Sequence, residues 1–422
     1  MPTYVEAVNQ IYELPKFTSK HSFEEGRMFL DKLGAPDKKF KIIHVAGTNG
    51  KGSVCAYMES ILMHAGYKTG CFISPHLVDC RERIRINGCM CSEEAFLRAY
   101  EKIDALGKKL FVPTFFEYLF FMAMLIFEEE KPDIVILETG LGGRLDATNL
   151  VSDKLAGIIT SIGLDHTEYL GDTVESIASE KAGIAALGRP LIYWDDTPGA
   201  SVISDAANRR QSVEIALSKS VISDVHRDNR GIDFCLRYKY DSYICPHVST
   251  QALYQVENAA LAVCSLVNIP EFEGHITEDD ILEGLRGMTW PGRMEELEPG
   301  IFLDGAHNEA AFTAFLGSVR EDGALRRLLI FGCMRDKDYR SEIGLLAGSG
   351  LFEKAVAVSI DSARAESCDV IADTFEEMNM PVIRARDAKE ALDIARDHVK
   401  NKDSYAYIAG SLYLAGEVKG LI

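Results

Sequence analysis

The chain has two tryptophans in 422 residues, no Cys-x-x-Cys pair among its ten cysteines, and no apolar run longer than the ten residues Tyr118–Phe127. Without closely paired cysteines a zinc site is not expected. The run Tyr118–Phe127 is flanked by Glu117 and Glu128. It is half the ~20 residues that a membrane-spanning helix needs, so it reads as a buried helix. No basic segment followed by an apolar core opens the chain, so a secretory leader is not expected. The scattered cysteines then read as reduced thiols of a cytoplasmic protein. Cys89 and Cys91 alone lie close together, and they read as a turn before a helix. Basic residues are scarce as well: 45 Lys and Arg stand against 64 Asp and Glu, a net charge of −19. That balance argues against a protein that coats nucleic acid or an anionic membrane. It leaves open an anionic ligand held by local geometry.

What is present is ordinary globular composition, 47% apolar and 26% charged. At ~150 residues per domain the length suggests two or three domains. Short apolar runs at Phe40–Ala46, Lys68–Ile73, Asp133–Leu137 and Ala156–Ile162 read as strands. Helical stretches at Ser53–His64, Ser92–Leu106, Phe115–Glu129 and Thr173–Leu187 separate or follow them. Continuous apolar strands alternating with helices predict a doubly wound, mostly parallel α/β sheet. Between Lys219 and Ser249 the pattern alternates around Asn229-Arg230-Gly231, predicting a β-hairpin before a helix at Ala252–Val267. A second, smaller α/β series follows Pro291: strands at Ile301–Leu303, Arg327–Phe331, Lys354–Ser359 and Ser404–Ala409, with a helix at Glu309–Val319. The boundary is placed at 291/292, giving domains 1–291 and 292–422.

Gly47-Thr48-Asn49-Gly50-Lys51-Gly52-Ser53 lies between a predicted strand and a predicted helix. Glycines let backbone N–H groups turn toward a phosphate, and the helix N-terminus adds positive potential. The spacing departs from G-x-x-x-x-G-K-[ST], because Gly52 separates Lys51 from Ser53. Glu138 closes a strand and precedes Gly140-Leu-Gly-Gly143. It suits either a Mg²⁺ accompanying a nucleotide or the cap of a turn. His166 ends Thr160-Ser-Ile-Gly-Leu-Asp-His166, and taken alone it reads as a surface group. Lys181 sits late in a helix and taken alone reads as a solvated lysine. Asp304, in Asp304-Gly-Ala-His307-Asn308, suits a ribose hydroxyl or a helix cap. Arg293 lies in the interdomain segment Trp290-Pro-Gly-Arg293.

Taken together, these segments resemble the folylpolyglutamate synthase/dihydrofolate synthase family, within the wider Mur-ligase-like group of amide ligases. The matching blocks run nearly end to end, from Leu14-Pro-Lys-Phe17 and Gly47–Ser53 through Ser74-Pro-His-Leu77 and Arg81-Glu-Arg-Ile84. They continue with Phe116-Glu117, Glu138–Asn149, Thr160–His166 and Glu180–Ile184. Asn258-Ala-Ala, Pro291-Gly-Arg293, Asp304–Asn308, Asp336-Lys-Asp338 and Gly410-Ser-Leu-Tyr413 complete the set.

The resemblance implies an ATP- and Mg²⁺-dependent ligase that adds L-glutamate to a pterin-containing acid through an acyl phosphate. It implies that Gly47–Ser53 bind the triphosphate, and that Lys51, Glu138, His166 and Lys181 are catalytic. Ser74 and Glu138 would be ligands of one Mg²⁺, with Ser53 as the alternative to Ser74, and His166 would be a ligand near a second metal. Lys181 matches a lysine carried as a carbamate. Asn258, Arg293, Asp304 and His307 would hold the nucleotide from the hinge and second domain, so that domain closure assembles the site. Thr114, Phe116, Leu145, Asp146 and Ala147 would contact the pterin, with Phe116 stacking on its ring. The version Arg144-Leu-Asp146-Ala147 resembles members with both activities. The resemblance also implies a monomer with small-molecule substrates alone. The alternatives are a chain-extending synthase only, a cell-wall Mur ligase, whose uridine-binding domain has no room before Gly47, and a nucleotide-binding protein without catalysis.

Overall fold

The computed structural model describes residues 2–15, 22–106, 112–151, 153–239 and 242–422. Lys16 and Phe17, in the first matching block, lie outside them. Helices α1 (Tyr4–Tyr12) and α2 (Phe23–Lys32) lead to strand β1 (Lys41–Ala46), helix α3 (Lys51–His64) and strand β2 (Thr69–Phe72). Short strands β3 (Ile84–Ile86) and β4 (Cys89–Met90) precede helices α4 (Glu93–Leu106) and α5 (Phe115–Glu130). Cys89 thus begins an edge strand rather than a plain turn. Strands β5 (Ile134–Glu138) and β6 (Ala156–Ile159) follow, then helices α6 (Thr167–Leu170) and α7 (Val174–Ala182). Strand β7 (Pro190–Trp194), helix α8 (Ala200–Arg210) and strand β8 (Val213–Leu217) complete this series.

These strands form one sheet in the order β4-β3-β2-β5-β1-β6-β7-β8. It is parallel from β2 to β8, and β3 and β4 run antiparallel at one edge. Side chains that alternate along a strand face opposite sides. Val135 and Leu137 accordingly join the core under α5, whose residues Tyr118–Phe127 are all buried, while Ile159, Leu191 and Tyr193 pack with α7 and α8. Each large apolar side chain so buried contributes about 1.5–3 kcal/mol. β1 lies between β5 and β6, so the chain winds away from β1 in both directions. In such sheets ligands bind outside the carboxyl ends of the strands at that reversal. The loops after Ala46, Glu138 and Ile159 all begin there.

A small antiparallel sheet contains β9 (Ile222–Asp228), β10 (Gly231–Lys239), β11 (Ser242–Ile244) and β12 (His247–Val248). The predicted hairpin turn at Asn229-Arg230 is present, shaped by Arg230 and Gly231 N–H groups donating to Asp228 Oδ1. The expectation of reduced thiols is corrected at one pair. Leu236 pairs with Ile244, which sets Cys235 across from Cys245, and the two form a disulfide. The hairpin register makes this pair, and a separation of ten residues carries no spacing signal for it. Helix α9 (Tyr254–Val267) starts two residues later than expected, and α10 (Glu278–Gly287) follows.

The chain divides into two compact units. The first contains residues up to Val225, Phe234–His247 and Glu257–Met288. The second contains His226–Asp233, Val248–Val256 and Thr289–Ile422, so the division falls at 288/289 and two earlier segments join the later unit. The second unit has its own sheet, built from β13 (Glu295–Glu298), β14 (Ile301–Leu303), β15 (Arg326–Phe331), β16 (Lys354–Val358), β17 (Val382–Ala385) and β18 (Ser404–Ala409). Their order is β13-β14-β18-β15-β16-β17, parallel except for β13. Helices α11 (Glu309–Arg320), α12 (Tyr339–Gly348), α13 (Cys368–Glu377), α14 (Ala388–Val399) and α15 (Leu412–Lys419) belong to it. No helix among the described residues is long and apolar enough to cross a membrane.

Candidate active site

The loop between β1 and α3 is braced from the neighbouring strand end. Thr48 N donates to Ser161 O at 2.7 Å, Asn49 N to Ser161 Oγ at 3.0 Å, and Thr160 Oγ1 to Asn49 O at 2.6 Å. Thr48 and Gly163 are joined by two further bonds of 3.1 Å. These contacts consume donors early in the loop and direct the remainder toward the start of α3. A helix leaves its first N–H groups without intrahelical acceptors, and its dipole favours an anion there. Gly50 caps this helix at φ +83°, and a Cβ on it would lie 2.4 Å from Asn258 Oδ1. Gly50→Ala is therefore expected to weaken nucleotide binding by at least about tenfold, through backbone strain and displacement of Asn258. Isothermal titration with ADP measures this. Thr160 and Ser161 were visible in the sequence as a strand exit, but nothing there marked them as the brace.

Three ionisable side chains, Lys51, Glu138 and Lys181, gather at this loop. Lys51 Nζ donates to Thr48 O at 3.3 Å and lies 3.9 Å from Glu138 Oε1. Glu138 is buried, and its Oε2 accepts from Ser74 N at 2.9 Å. Lys181 is no solvated lysine: it is 4% exposed and its Nζ donates to Gly47 O at 2.7 Å. Burial, reinforced by the nearby Lys51 cation, lowers its pKa to about 7, against the opposing pull of Asp165 and Asp146. His166 has φ +51°, caps α6 and stands 3.9 Å from Asp165 through Nε2, with its side chain 43% exposed. Among the described residues no three His, Cys, Asp or Glu side chains form a closed metal cage. Mg²⁺ in nucleotide sites takes one or two carboxylates and fills its other positions with phosphate oxygens and water. A buried carboxylate beside Ser74 and next to the lysine of the glycine-rich loop fits that demand.

The loop from Gly140 to Asn149 lies beyond Glu138. Phe116 packs against it closely enough that a Cβ on Gly140 would be 2.6 Å from the ring, and its other neighbour is Phe72 at 5.4 Å between centroids. Thr114 is the N-cap of α5, its hydroxyl accepting from Glu117 N at 3.2 Å. Asp146 is turned inward, accepting from Leu141 N at 2.8 Å and Thr148 N at 2.9 Å. Burial raises its pKa against those bonds. Ala147 is buried too, whereas Leu145 stands 64% exposed at the apex. Of the predicted pterin contacts, Asp146 therefore holds the turn and Leu145 presents the surface. The sequence carried no sign of a second buried group, His44, whose Nε2 meets Thr148 Oγ1 at 2.7 Å.

In the second unit, Asp304 is buried and accepts from Tyr254 Oη, from Met294 N at 3.0 Å and from Ala306 N at 2.9 Å. Burial raises its pKa, opposed first by the Arg293 cation. Its capping alternative is corrected: Asn308 caps α11, accepting from Ala311 N at 2.9 Å. His307 Nδ1 donates to Gly305 O at 2.7 Å, leaving Nε2 as the other ring nitrogen.

Residues 98–266 match the Mur ligase middle domain, and residues 292–412 match the glutamate ligase domain of Mur ligases. A dihydrofolate synthase/folylpolyglutamate synthase of Bacillus subtilis is 33% identical over 428 residues, covering 99% of this chain and 98% of the relative. The chain belongs to the dihydrofolate synthase/folylpolyglutamate synthase family. It is an ATP-dependent ligase with the Mur-ligase fold. The family likeness extends to three dimensions. Escherichia coli FolC in complex with DHPP and ADP has a TM-score of 0.87 at 28% identity, covering 100% of this chain and 99% of the other. A bifunctional folylpolyglutamate synthase/dihydrofolate synthase with Mn, AMPPNP and L-glutamate bound has a TM-score of 0.85 at 27% identity, covering 100% and 98%.

Proposed function

We propose that the chain carries both activities of its family, joining L-glutamate to dihydropteroate and extending reduced folates by further glutamates. The observation that carries this reading is the end-to-end likeness to a relative named for both. It is proposed to act as a cytoplasmic monomer on small molecules.

The chemistry asks for charge management. A carboxylate is a poor acyl donor because oxide would have to leave. Its oxygen attacks the γ-phosphorus of ATP, ADP departs, and the acyl phosphate so formed is attacked at carbon by the glutamate amine. Inorganic phosphate then leaves, and the nitrogen loses its proton to give the amide. Phosphoryl transfer depends chiefly on alignment and charge neutralisation. Gly47–Ser53 and the α3 N-terminus align the triphosphate, and Lys51 neutralises it. Glu138 would hold Mg²⁺ with the hydroxyl of Ser74, or of Ser53, and His166 would be a ligand near a second ion. Mg²⁺ supplies positive charge to the transferring phosphoryl group. Lys181, whose burial lowers its pKa to about 7 and so leaves a substantial unprotonated fraction near neutral pH, is suited to carry a carbamate, because only the unprotonated amine adds CO₂. The change turns a cation that would repel a metal into an anion. Asn258, Arg293, Asp304 and His307 are proposed as further nucleotide contacts.

For the acceptor, Thr114 fixes the helix start that presents Phe116, while Asp146 and Ala147 shape the turn that presents Leu145. Leu145→Ala is expected to raise the acceptor KM about tenfold while leaving the ATP KM unaltered, as loss of one apolar contact does. Steady-state kinetics with each substrate varied in turn checks it. The function itself is tested by supplying ATP, Mg²⁺ and glutamate with dihydropteroate or tetrahydrofolate separately. Mass spectrometry then reads the gain of one glutamyl unit. Product from both acceptors is expected; product from neither overturns the reading, and product from one alone overturns bifunctionality.

A further inference from the structure

Lys154 lies just before β6 and is 6% exposed. Its Nζ donates to Asn149 Oδ1 and to Ile184 O, the latter at 3.2 Å. Asn149 in turn donates through Nδ2 to Arg144 O at 3.1 Å and Gly183 O at 3.3 Å. Arg144 N reaches Glu180 O at 2.8 Å, and its guanidinium pairs with Glu180 Oε1 at 2.7 Å. Four of these six bonds run between the Gly140–Asn149 loop with its exit and residues Glu180–Ile184 at the end of α7, and the Lys154–Asn149 and Asn149–Arg144 bonds brace the loop internally. A buried lysine is costly, and an apolar side chain would fill the same space more favourably. Burial, with Arg210 nearby, lowers its pKa to about 7. Charged or neutral, the amine still donates.

We propose that Lys154 is a positioning residue of the acceptor site: it ties Asn149 to Ile184, so that the loop bearing Leu145 and the helix bearing Lys181 are held as one piece. The acceptor loop thus acquires its place relative to the phosphate loop, which Lys181 contacts at Gly47. The inference rests on the acceptor reading of Leu145, and the test separates the two.

Lys154→Met keeps the stem and removes the donor. With this variant, Asn149→Ala and the double variant, acceptor KM is expected to rise about tenfold in each single change, with ATP KM within about twofold of wild type. Because both residues act through one contact, the double variant is expected to lie within about twofold of the worse single one. Hydrogen exchange at the amides of 140–149 is expected to quicken in Lys154→Met without substrate present. Unchanged exchange, or fold-changes that multiply in the double variant, overturns the tie. Quickened exchange with unchanged acceptor KM overturns the positioning role. If Leu145→Ala is also silent in that case, the acceptor reading of the loop falls with it. Should Lys154→Met fail to fold, Asn149→Ala breaks the same contact from the loop side, and its exchange and KM are read in the same way.

Discussion

Replacing Lys51 with methionine is expected to lower kcat by about a thousandfold, close to 4 kcal/mol of transition-state stabilisation. Two contacts support so large a figure. The ammonium lies 3.9 Å from Glu138 and 3.3 Å from the Thr48 carbonyl, which puts it at the phosphate loop rather than in solvent. In a water-poor site a fixed cation that meets growing negative charge has little reorganisation to undergo, so its effect exceeds that of an exposed ion pair. Methionine preserves the stem and the packing of α3 and removes only the charge. The thermal midpoint should therefore stay near that of wild type while turnover collapses. Stopped-time assays of ADP release, beside a thermal melt, measure both. A variant that keeps more than about a tenth of wild-type kcat would remove Lys51 from the mechanism.

Much of this site was legible before any coordinates, for identifiable reasons. β1 and β5 are short, β-branched and apolar, and a strand buried on both faces leaves that mark. The phosphate loop has glycines that the backbone itself requires, as the +83° φ of Gly50 shows. The same local logic fails for Lys181. Helix periodicity reports an average face, and one lysine turned inward to a distant carbonyl leaves no pattern in its own neighbourhood. Asp146 stands out only through the family resemblance, and its place as the brace of its own turn, accepting from Leu141 N and Thr148 N, leaves no local mark. His44, Lys154 and the Cys235–Cys245 pair depend on register and on crossing strands, which are long-range facts. Net charge was the least informative feature: an overall balance of −19 sits beside the glycine-rich loop proposed to bind the triphosphate.

Lys181→Met is expected to lower activity by at least about a hundredfold and, at low pH, to make the protein more stable. The pairing of opposite effects follows from burial. The folded pKa of about 7 lies below the ordinary lysine value of 10.5, with burial as the main cause. Between those values the unfolded chain holds a proton that the folded chain has shed, so stability rises with pH there, by up to about 1.4 kcal/mol per unit. Below pH 7 both states hold the proton and the cost of the buried cation is felt in full; it fades as pH climbs toward 10.5. Methionine carries no such cost, so the advantage of the variant should be largest near pH 6 and shrink steadily by pH 9. Urea midpoints in CO₂-free buffer at the two pH values measure that difference, and Lys154, present in both proteins, cancels from it. Activity is expected to run the other way, because the role proposed for the lysine needs its neutral amine. Wild-type turnover should rise with pH through the neutral range and respond to added bicarbonate, whereas the variant should respond to neither. A variant with wild-type turnover would show that this buried amine serves only to hold the Gly47 carbonyl. A variant no more stable at pH 6 would show that Asp165 and Asp146 already compensate the charge, and the amine would then be protonated and closed to CO₂.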